Sequence, residues 1–244
     1  MSTRRILVSA MVLTLATCSR ESIRAASPAP GAASIAGCVK LDGPAPRLAP
    51  LRMSSDPACA KMHPAPATNE EIVAAGNGGL QNVLVFVSEG LTGRSFEIPP
   101  EPAVLEQKGC MYGPHVLAMQ ANQKLEIVNS DSTTHNIHPL PANNREWNKA
   151  EAPGVKLEET FSREEIAIPV KCNVHPWMRG YIAVLKHPYF AVTTADGSFR
   201  LPDLPPGEYT IEAWHEKLGT ATKRITVAPG QAQRLELVFH AHGG

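Results

Sequence analysis

The stretch "IPVKCNVHPWMRGYIAVL", residues 168–185, is the most informative part of this 244-residue sequence. Apolar runs stand on both sides of a polar loop, which predicts two strands joined by that loop. Within the loop, Cys172, His175 and Met178 follow one another at intervals of three residues. A thiol, an imidazole and a thioether are ligands of a soft metal ion, and so short a loop holds them stiffly.

A further candidate ligand comes from "NSDSTTHNIHP", residues 129–139, where His135 follows a predicted strand. Two imidazoles and a thiolate in one plane, with a weak thioether on the axis, suit copper in both of its oxidation states. Zinc would use the same Cys and His side chains but gains little from Met178. His138 is the rival of His135 for the first position.

The first residues, "MSTRRILVSAMVLTLATC", predict export rather than fold. The apolar run is too short to span a bilayer. "LATC" resembles the lipobox of bacterial lipoproteins, which implies lipidation at Cys18; cleavage near Ala25 and Ala26 is the alternative. Residues 19–33 are then a flexible linker. We expect a lipid-anchored periplasmic or cell-envelope protein of a bacterium.

Export changes the interpretation of the remaining cysteines, because an oxidising compartment favours disulfides. One alternative pairs all four. The favoured one is a disulfide between Cys59 and Cys110, with Cys172 on the metal and Cys38 buried in a strand. The cysteines and histidines of "CAKMH" (59–63) and "GCMYGPH" (109–115) also permit a second metal site, which we favour less than a disulfide with incidental histidines.

Composition excludes several functions. Lys plus Arg and Asp plus Glu both number 23, so nothing indicates a nucleic-acid partner. The sequence has neither a glycine-rich phosphate loop between strand and helix nor a G-x-S-x-G nucleophile motif. We therefore expect a protein that is not an enzyme by itself, and whose only contact with a membrane is a lipid anchor.

The abundance of Pro (22) and Gly (18) indicates short strands joined by turns, an all-β protein. A short helix is predicted around "NEEIVAA", residues 69–75, and a long loop over 139–156. The predicted strands are 34–41, 82–87, 115–119, 124–129, 165–170, 180–186, 197–201, 208–214, 222–227 and 234–239.

"DGSFRLPDLPPGEYTI", residues 196–211, resembles the carboxypeptidase regulatory-like (prealbumin-like) β-sandwich module. Such modules open with a strand of the form I-x-G-x-V, which "IAGCVKLDGPAP" at 35–46 matches. The resemblance implies that residues 34–97 and 187–240 form one sandwich around an inserted domain. Two domains in succession are the alternative.

The C-x2-H-x2-M loop followed by Arg179 and Gly180, together with "HNIH", resembles the cupredoxin family and its amicyanin-like type 1 blue copper domains. The resemblance covers residues 98–186 and implies a Greek-key β-sandwich beside the smaller prealbumin-like one. It further implies that the ion is bound equatorially by His135, Cys172 and His175 and axially by Met178. Asn136 would tie the two ligand loops together without binding the ion.

The resulting expectation is an exported type 1 copper protein that carries single electrons between redox proteins of the cell envelope. The electron is expected to pass from the copper to the partner through His175. One alternative is a copper storage or delivery protein without a redox role. Another is a surface module that binds carbohydrate or protein. Trp177 is assigned equally to the core or to a docking patch for a partner.

Overall fold

The computed structural model describes residues 33–241. The predicted signal segment 1–18, the lipidation site Cys18 and all but the last residue of the linker 19–33 lie outside these residues. Within them, no helix has the length and apolar character that crossing a membrane requires. The strands are β1 Ala33–Asp42, β2 Leu84–Glu89, β3 Ala103–Gln107, β4 Tyr112–Gly113, β5 Val116–Gln120, β6 Lys124–Asn129, β7 His135–Pro139, β8 Lys149–Glu151, β9 Lys156–Thr160, β10 Glu165–Lys171, β11 Arg179–Leu185, β12 Phe190–Val192, β13 Ser198–Leu204, β14 Gly207–His215, β15 Gly219–Val227 and β16 Ala232–His240; the helix is α1 Pro57–Lys61.

The all-β class is confirmed, and each of the predicted strands overlaps a strand of the structure. The strands that were not predicted are β3, β4, β7, β8, β9 and β12. They are short or polar; β9 reads "KLEET", and β8, three residues long, lies inside the predicted loop 139–156. Such strands form because a neighbouring strand pairs with them, which local composition does not reveal.

The helix predicted over residues 69–75 is wrong. That segment has no helical residue, and it turns back to bridge Ala74 with Leu80. The helix lies earlier, where Asp56 accepts hydrogen bonds from the backbone N–H of Ala58 and Cys59. An aspartate at the N-cap followed by proline is a strong helix start. In residues 69–75 the bridge to Leu80 overrides the helix propensity of the side chains.

Strands from both ends of the described chain form one sandwich, which we name the split sandwich. Its first sheet has the order β13-β1-β16 and its second the order β12-β2-β14-β15. β1 pairs in parallel with β16 from Ser34↔Ala232 to Asp42↔His240 and antiparallel with β13. The inward side chains of both sheets, such as Val39, Leu201 and Ile211, share one apolar core.

The strands between β2 and β12 form a second sandwich, which we name the central sandwich. Its sheets have the orders β5-β11-β10-β7-β8 and β4-β3-β6-β9. Leu125, Ile127 and Phe161 are fully or almost fully buried between them. Cys172 and Met178 belong to the same core cluster, so the candidate ligands lie at the end of this core rather than on a surface loop.

Two strands join the sandwiches because both of their faces are apolar. Val85 and Val87 of β2 pack in the core of the split sandwich, while Leu84 and Phe86 face the other way. In β11, Ala183 and Leu185 meet that second face of β2. A continuous apolar run is typical of a strand covered on both sides. The runs "LVFV" and "YIAVL" therefore position the loop before β11 against the split sandwich.

A buried polar cluster also crosses between the sandwiches. His115 Nε2 lies 2.5 Å from Glu216 Oε1, and Glu216 Oε2 accepts a hydrogen bond from the Tyr181 hydroxyl at 3.2 Å. Glu70 Oε2 lies 3.6 Å from the other ring nitrogen. Burial works against the charged imidazole, but the bond to Glu216 and the two carboxylates together raise the pKa of His115 above its ordinary value of 6.5.

This cluster predicts a pH-dependent stability. A raised pKa in the folded state means that the stabilisation is full below about pH 6.5 and is lost as the pH rises through the folded-state value. We expect the free energy of unfolding to fall between neutral and mildly alkaline pH, and the fall to shrink in His115→Gln. Urea unfolding at several pH values measures it; an equal pH slope in both proteins contradicts the assignment.

Candidate metal centre

Pairing between strands brings the candidate ligands together. β7 begins with His135 and pairs with β10 through Lys171↔His138, which places His135 close to the end of β10. Cys172 follows β10 directly, and the loop returns to β11. The loop is tight because the Cys172 N–H donates to the Met178 carbonyl at 3.1 Å, and the Met178 N–H to the His175 carbonyl at 2.9 Å.

The side chains of His135, Cys172 and His175 form one buried cluster. His135 Nδ1 lies 2.9 Å from His175 Nδ1, and Cys172 Sγ lies 3.8 Å from the same His175 atom. The exposed fractions are 0% for His135, 3% for Cys172 and 1% for His175. One ligand atom of each lies within 4.8 Å of the others, an arrangement that can hold a metal ion. Met178 is buried in the same core cluster.

The remaining sequence candidates lie elsewhere. His138 contacts Glu146 at 2.7 Å and Asn173 at 3.3 Å, and it belongs to none of the potential metal-binding groups among the described residues. His63 contacts the Gly109 carbonyl at 2.7 Å, and His115 contacts Glu216. The second site drawn from "CAKMH" and "GCMYGPH" therefore does not form with His63 and His115 as ligands.

Each histidine of the cluster has a carboxylate on its other ring nitrogen. His135 Nε2 lies 2.8 Å from Asp131 Oδ2, and His175 Nε2 lies 2.9 Å from Asp56 Oδ2. Since a carboxylate accepts and does not donate, both Nε2 atoms bear the hydrogen, and in the neutral rings both Nδ1 atoms then present a lone pair to the cluster. The hydrogen bond from His175 lowers the pKa of Asp56.

With both rings neutral, two lone pairs face each other across 2.9 Å and repel; a proton shared as a hydrogen bond, or a metal ion bound to both nitrogens, removes the repulsion. Burial lowers the pKa of His135 below its ordinary value, although the hydrogen bond to Asp131 opposes this shift. Burial therefore disfavours a second proton on the His135 ring. The two carboxylates orient the rings so that both Nδ1 atoms face the same buried space beside Cys172.

Asn136 connects the two ligand segments, as the cupredoxin resemblance implies. Its Oδ1 accepts hydrogen bonds from the backbone N–H of Asn173 at 2.6 Å and of Val174 at 3.3 Å. The same oxygen lies 3.3 Å from Cys172 Sγ. Its Nδ2 donates to Asn148 Oδ1 at 2.7 Å. One amide oxygen thus positions the thiol loop relative to the strand of His135.

Cys59 and Cys110 form a disulfide in the structure, while Cys38 is a buried thiol in β1. The pairing of all four cysteines is therefore wrong. The disulfide lies beside the cluster of His135, Cys172 and His175, since Cys59 Sγ is 3.6 Å from His175 Nε2. Trp177, half-buried, has its ring centroid 5.1 Å from that of His175 and donates its indole N–H to the Cys110 carbonyl.

His175 is buried beneath other residues, contrary to the expectation that it passes electrons directly to a partner. The carboxylate of Asp56 and the sulfur of Cys59 occupy the side of Nε2, and the side chain of Asp56 is itself only 24% exposed. The nearest exposed apolar group along the chain is Val174, with an exposed fraction of 54%. A direct path from His175 to solvent is therefore closed by the segment that contains α1.

Sequence reasoning missed Asp56 and Asp131. Asp131 lies four residues before His135 within "NSDSTTHN", and it also accepts hydrogen bonds from the backbone N–H of Gly109 and Cys110 at 2.7 Å each. That spacing in a loop was the available signal. Asp56 gave no such signal, because it lies 119 positions before His175 and meets it through the tertiary fold.

Comparison with protein families identifies one module of the chain. Residues 182–240 match the family model of the carboxypeptidase regulatory-like domain, which confirms the C-terminal resemblance. The match begins inside β11, a strand of the central sandwich. A search of curated protein sequences finds no match to the chain.

Among solved structures, the copper-containing nitrite reductase from Thermus scotoductus is 20% identical, with 39% of this chain and 24% of that chain covered and a TM-score of 0.33. This chain thus spans about a quarter of the nitrite reductase. A purple cupredoxin from Nitrosopumilus maritimus is 23% identical, with 34% of this chain and 98% of that chain covered and a TM-score of 0.30. An oxidized mutant of amicyanin is 16% identical, with 41% of this chain and 97% of that chain covered and a TM-score of 0.32.

The contacts of Asn136 predict the effect of removing its amide. In Asn136→Ala, two backbone N–H groups of the thiol loop lose their acceptor, and we expect the free energy of unfolding to fall by about 1–3 kcal/mol. Urea unfolding followed by circular dichroism measures this change.

The matched control is Asn148→Ala, which removes the exposed partner of the Asn136 amide nitrogen and leaves the Oδ1 contacts in place. We expect a change within about 0.5 kcal/mol of zero. Equal losses in the two variants would show that Asn136 does not tie the ligand segments.

Proposed function

We propose that this chain is a type 1 copper protein that carries single electrons. The observation that supports it most strongly is the buried cluster in which His135 and His175 present Nδ1 to each other and Cys172 Sγ lies beside them. Two imidazoles and a thiolate with a methionine nearby are the donor set that suits copper in both oxidation states. The motif resemblance to cupredoxins supports the same assignment.

The donor set distinguishes copper from zinc. Structural zinc takes four strong ligands, and Met178 is a weak one. Asp131 and Asp56 already accept hydrogen bonds from the imidazoles, so neither carboxylate is placed as a fourth strong ligand. His135, Cys172 and His175 would hold the ion, with Met178 as the axial ligand. Copper, when bound there, supplies a one-electron couple.

The residues around the cluster would keep electron transfer fast by resisting rearrangement. Asp131 and Asp56 fix the two rings, and Asn136 fixes the thiol loop. The cluster lies at the end of a closely packed core, so a ligand cannot swing away without opening a cavity. Such a site favours neither the geometry of Cu(I) nor that of Cu(II).

The proposal includes location and partner. The charged and apolar N-terminal segment supports export and a lipid anchor at Cys18, and we propose a redox protein of the cell envelope as the partner. The split sandwich has no assigned chemistry in this proposal.

The covered position of His175 favours a second candidate, a copper store or delivery protein. Because His175 is buried, a partner cannot contact it directly, which slows electron exchange. Burial does not hinder retention of the ion. Cyclic voltammetry of the loaded protein separates the two functions. A reversible one-electron wave supports electron transfer, and its absence in a protein that binds Cu(I) tightly supports storage.

The first prediction of this proposal concerns colour. One equivalent of Cu(II) should give an intense visible band, because charge moves from the Cys172 thiolate to the ion. In Cys172→Ser this band should be absent. Absorption spectroscopy with metal analysis measures both proteins.

The matched control is Cys38→Ser, which removes a thiol of β1 that belongs to none of the potential metal-binding groups among the described residues. That variant should keep the band. A wild-type protein that holds one copper and stays colourless contradicts the type 1 assignment.

The second prediction concerns the outer carboxylates. In Asp131→Asn or Asp56→Asn the ring keeps an acceptor but loses a negative charge that stabilises Cu(II). We expect Cu(II) affinity to fall by about 10–100-fold and the reduction potential to rise. Competition with a chelator and voltammetry measure the two quantities.

Glu146→Gln is the control, because Glu146 contacts His138 in the same way but outside the cluster. It should leave both quantities at their wild-type values. If the Asp131 and Asp56 variants behave like Glu146→Gln, the carboxylates do not act on the bound ion.

A further inference from the structure

The disulfide lies on the side of His175 opposite to the proposed copper site. His175 Nδ1 faces His135 and Cys172, while its Nε2 is 3.6 Å from Cys59 Sγ. One ligand atom each of Cys59, Cys110 and His175 lie within 4.8 Å of one another. All three side chains are 0–1% exposed. The chain therefore has a second group of soft donor atoms, which lies on the Nε2 side of the ring whose Nδ1 faces the first group.

Oxidation state decides whether this second group can bind an ion. In the disulfide the two sulfurs share a bond and carry no charge, so they are poor ligands. Reduction adds two electrons and two protons, breaks the S–S bond and leaves two thiols; a dithiol reductant supplies both and becomes a disulfide itself. A soft cation then displaces the two thiol protons and binds both thiolates. For His175 to bind it as well, the proton on Nε2 moves to Nδ1, where it can be donated to His135 Nδ1, and the hydrogen bond to Asp56 breaks.

The backbone already has the spacing that such a site needs. The Cα atoms of Cys59 and Cys110 are 5.6 Å apart, so side-chain rotation alone can separate the sulfurs to about 4 Å, as two thiolates on one ion require. Asp56, the N-cap of α1, holds Cys59 by its backbone, and Asp131 holds Cys110 in the same way. Both anchors remain after reduction.

We propose that Cys59, Cys110 and His175 Nε2 form a second metal site, for Cu(I), that exists only when the Cys59–Cys110 disulfide is reduced. Two thiolates and an imidazole in a buried setting select a soft ion of low coordination number over harder ones. His175 belongs to both sites, through Nδ1 in the first and Nε2 in the second, so a neutral ring serves one of them at a time. The inference goes beyond the proposed function, because it does not involve Cys172 or the electron-transfer role.

The test uses the full chain carrying Cys172→Ser, which removes the thiolate of the first site. One pool keeps the disulfide; the other is reduced anaerobically with excess dithiothreitol and desalted, and a thiol count must rise by two per chain. Both pools are titrated with Cu(I) against the chromogenic chelator bicinchoninate. We expect the reduced pool to bind one more Cu(I) per chain than the oxidised pool. The affinity of this added site for Cu(I) should be at least 100-fold higher than the affinity of the oxidised pool.

Further variants and treatments test whether the added Cu(I) is bound at the proposed site or by free thiols in general. Alkylation of the reduced pool with iodoacetamide, or Cys59→Ser in the same chain, should abolish the added binding. His175→Gln should weaken it about tenfold, and X-ray absorption should show two sulfur ligands and one nitrogen ligand on the added copper.

Three results overturn the proposal: a reduced pool that holds no more Cu(I) than the oxidised one, unchanged affinity in His175→Gln, or loss of the β-sheet circular dichroism on reduction. The proposed electron-transfer function is tested separately, in the disulfide-bonded wild-type protein with Cu(II). The two can therefore fail independently.

Discussion

The orientation of two imidazole rings is the constraint on which the candidate site depends. Asp131 and Asp56 hold the Nε2 atoms of His135 and His175, so both Nδ1 lone pairs meet in a buried space beside Cys172. Each ring alone would be an ordinary buried histidine. Together, when both are neutral, they direct two lone pairs at one buried space, and this repulsive arrangement is the physical basis of the proposed metal site.

Two parts of the chain supply that constraint. β10, β7 and β11 place the candidate ligands at one end of the central core, while the segment between β1 and β2 supplies Asp56 and Cys59 from outside. The disulfide fastens this segment to Cys110, whose backbone Asp131 also holds. The disulfide thus joins the segment of Asp56 to the residue whose backbone N–H is bound by Asp131, and the same segment closes the path from His175 to solvent.

Local patterns in the sequence predicted the all-β class, the longer strands and the residues of the cluster. They succeeded where composition is itself the cause, as in the apolar run of β11 or the three-residue spacing of Cys172, His175 and Met178. They failed where a distant partner decides the outcome. The polar strand β9 forms because β6 pairs with it, residues 69–75 turn back on Leu80 instead of forming a helix, and Asp56 reaches His175 only through the fold.

A crystal structure of the copper-loaded, disulfide-bonded protein is the most direct measurement of the central claim. It should show one ion bound by Nδ1 of His135, Nδ1 of His175 and Sγ of Cys172, with Nε2 of each ring still on its aspartate. An ion bound through Nε2 of either histidine, or bound away from Cys172, would contradict the claim that the two carboxylates prepare this cluster for copper.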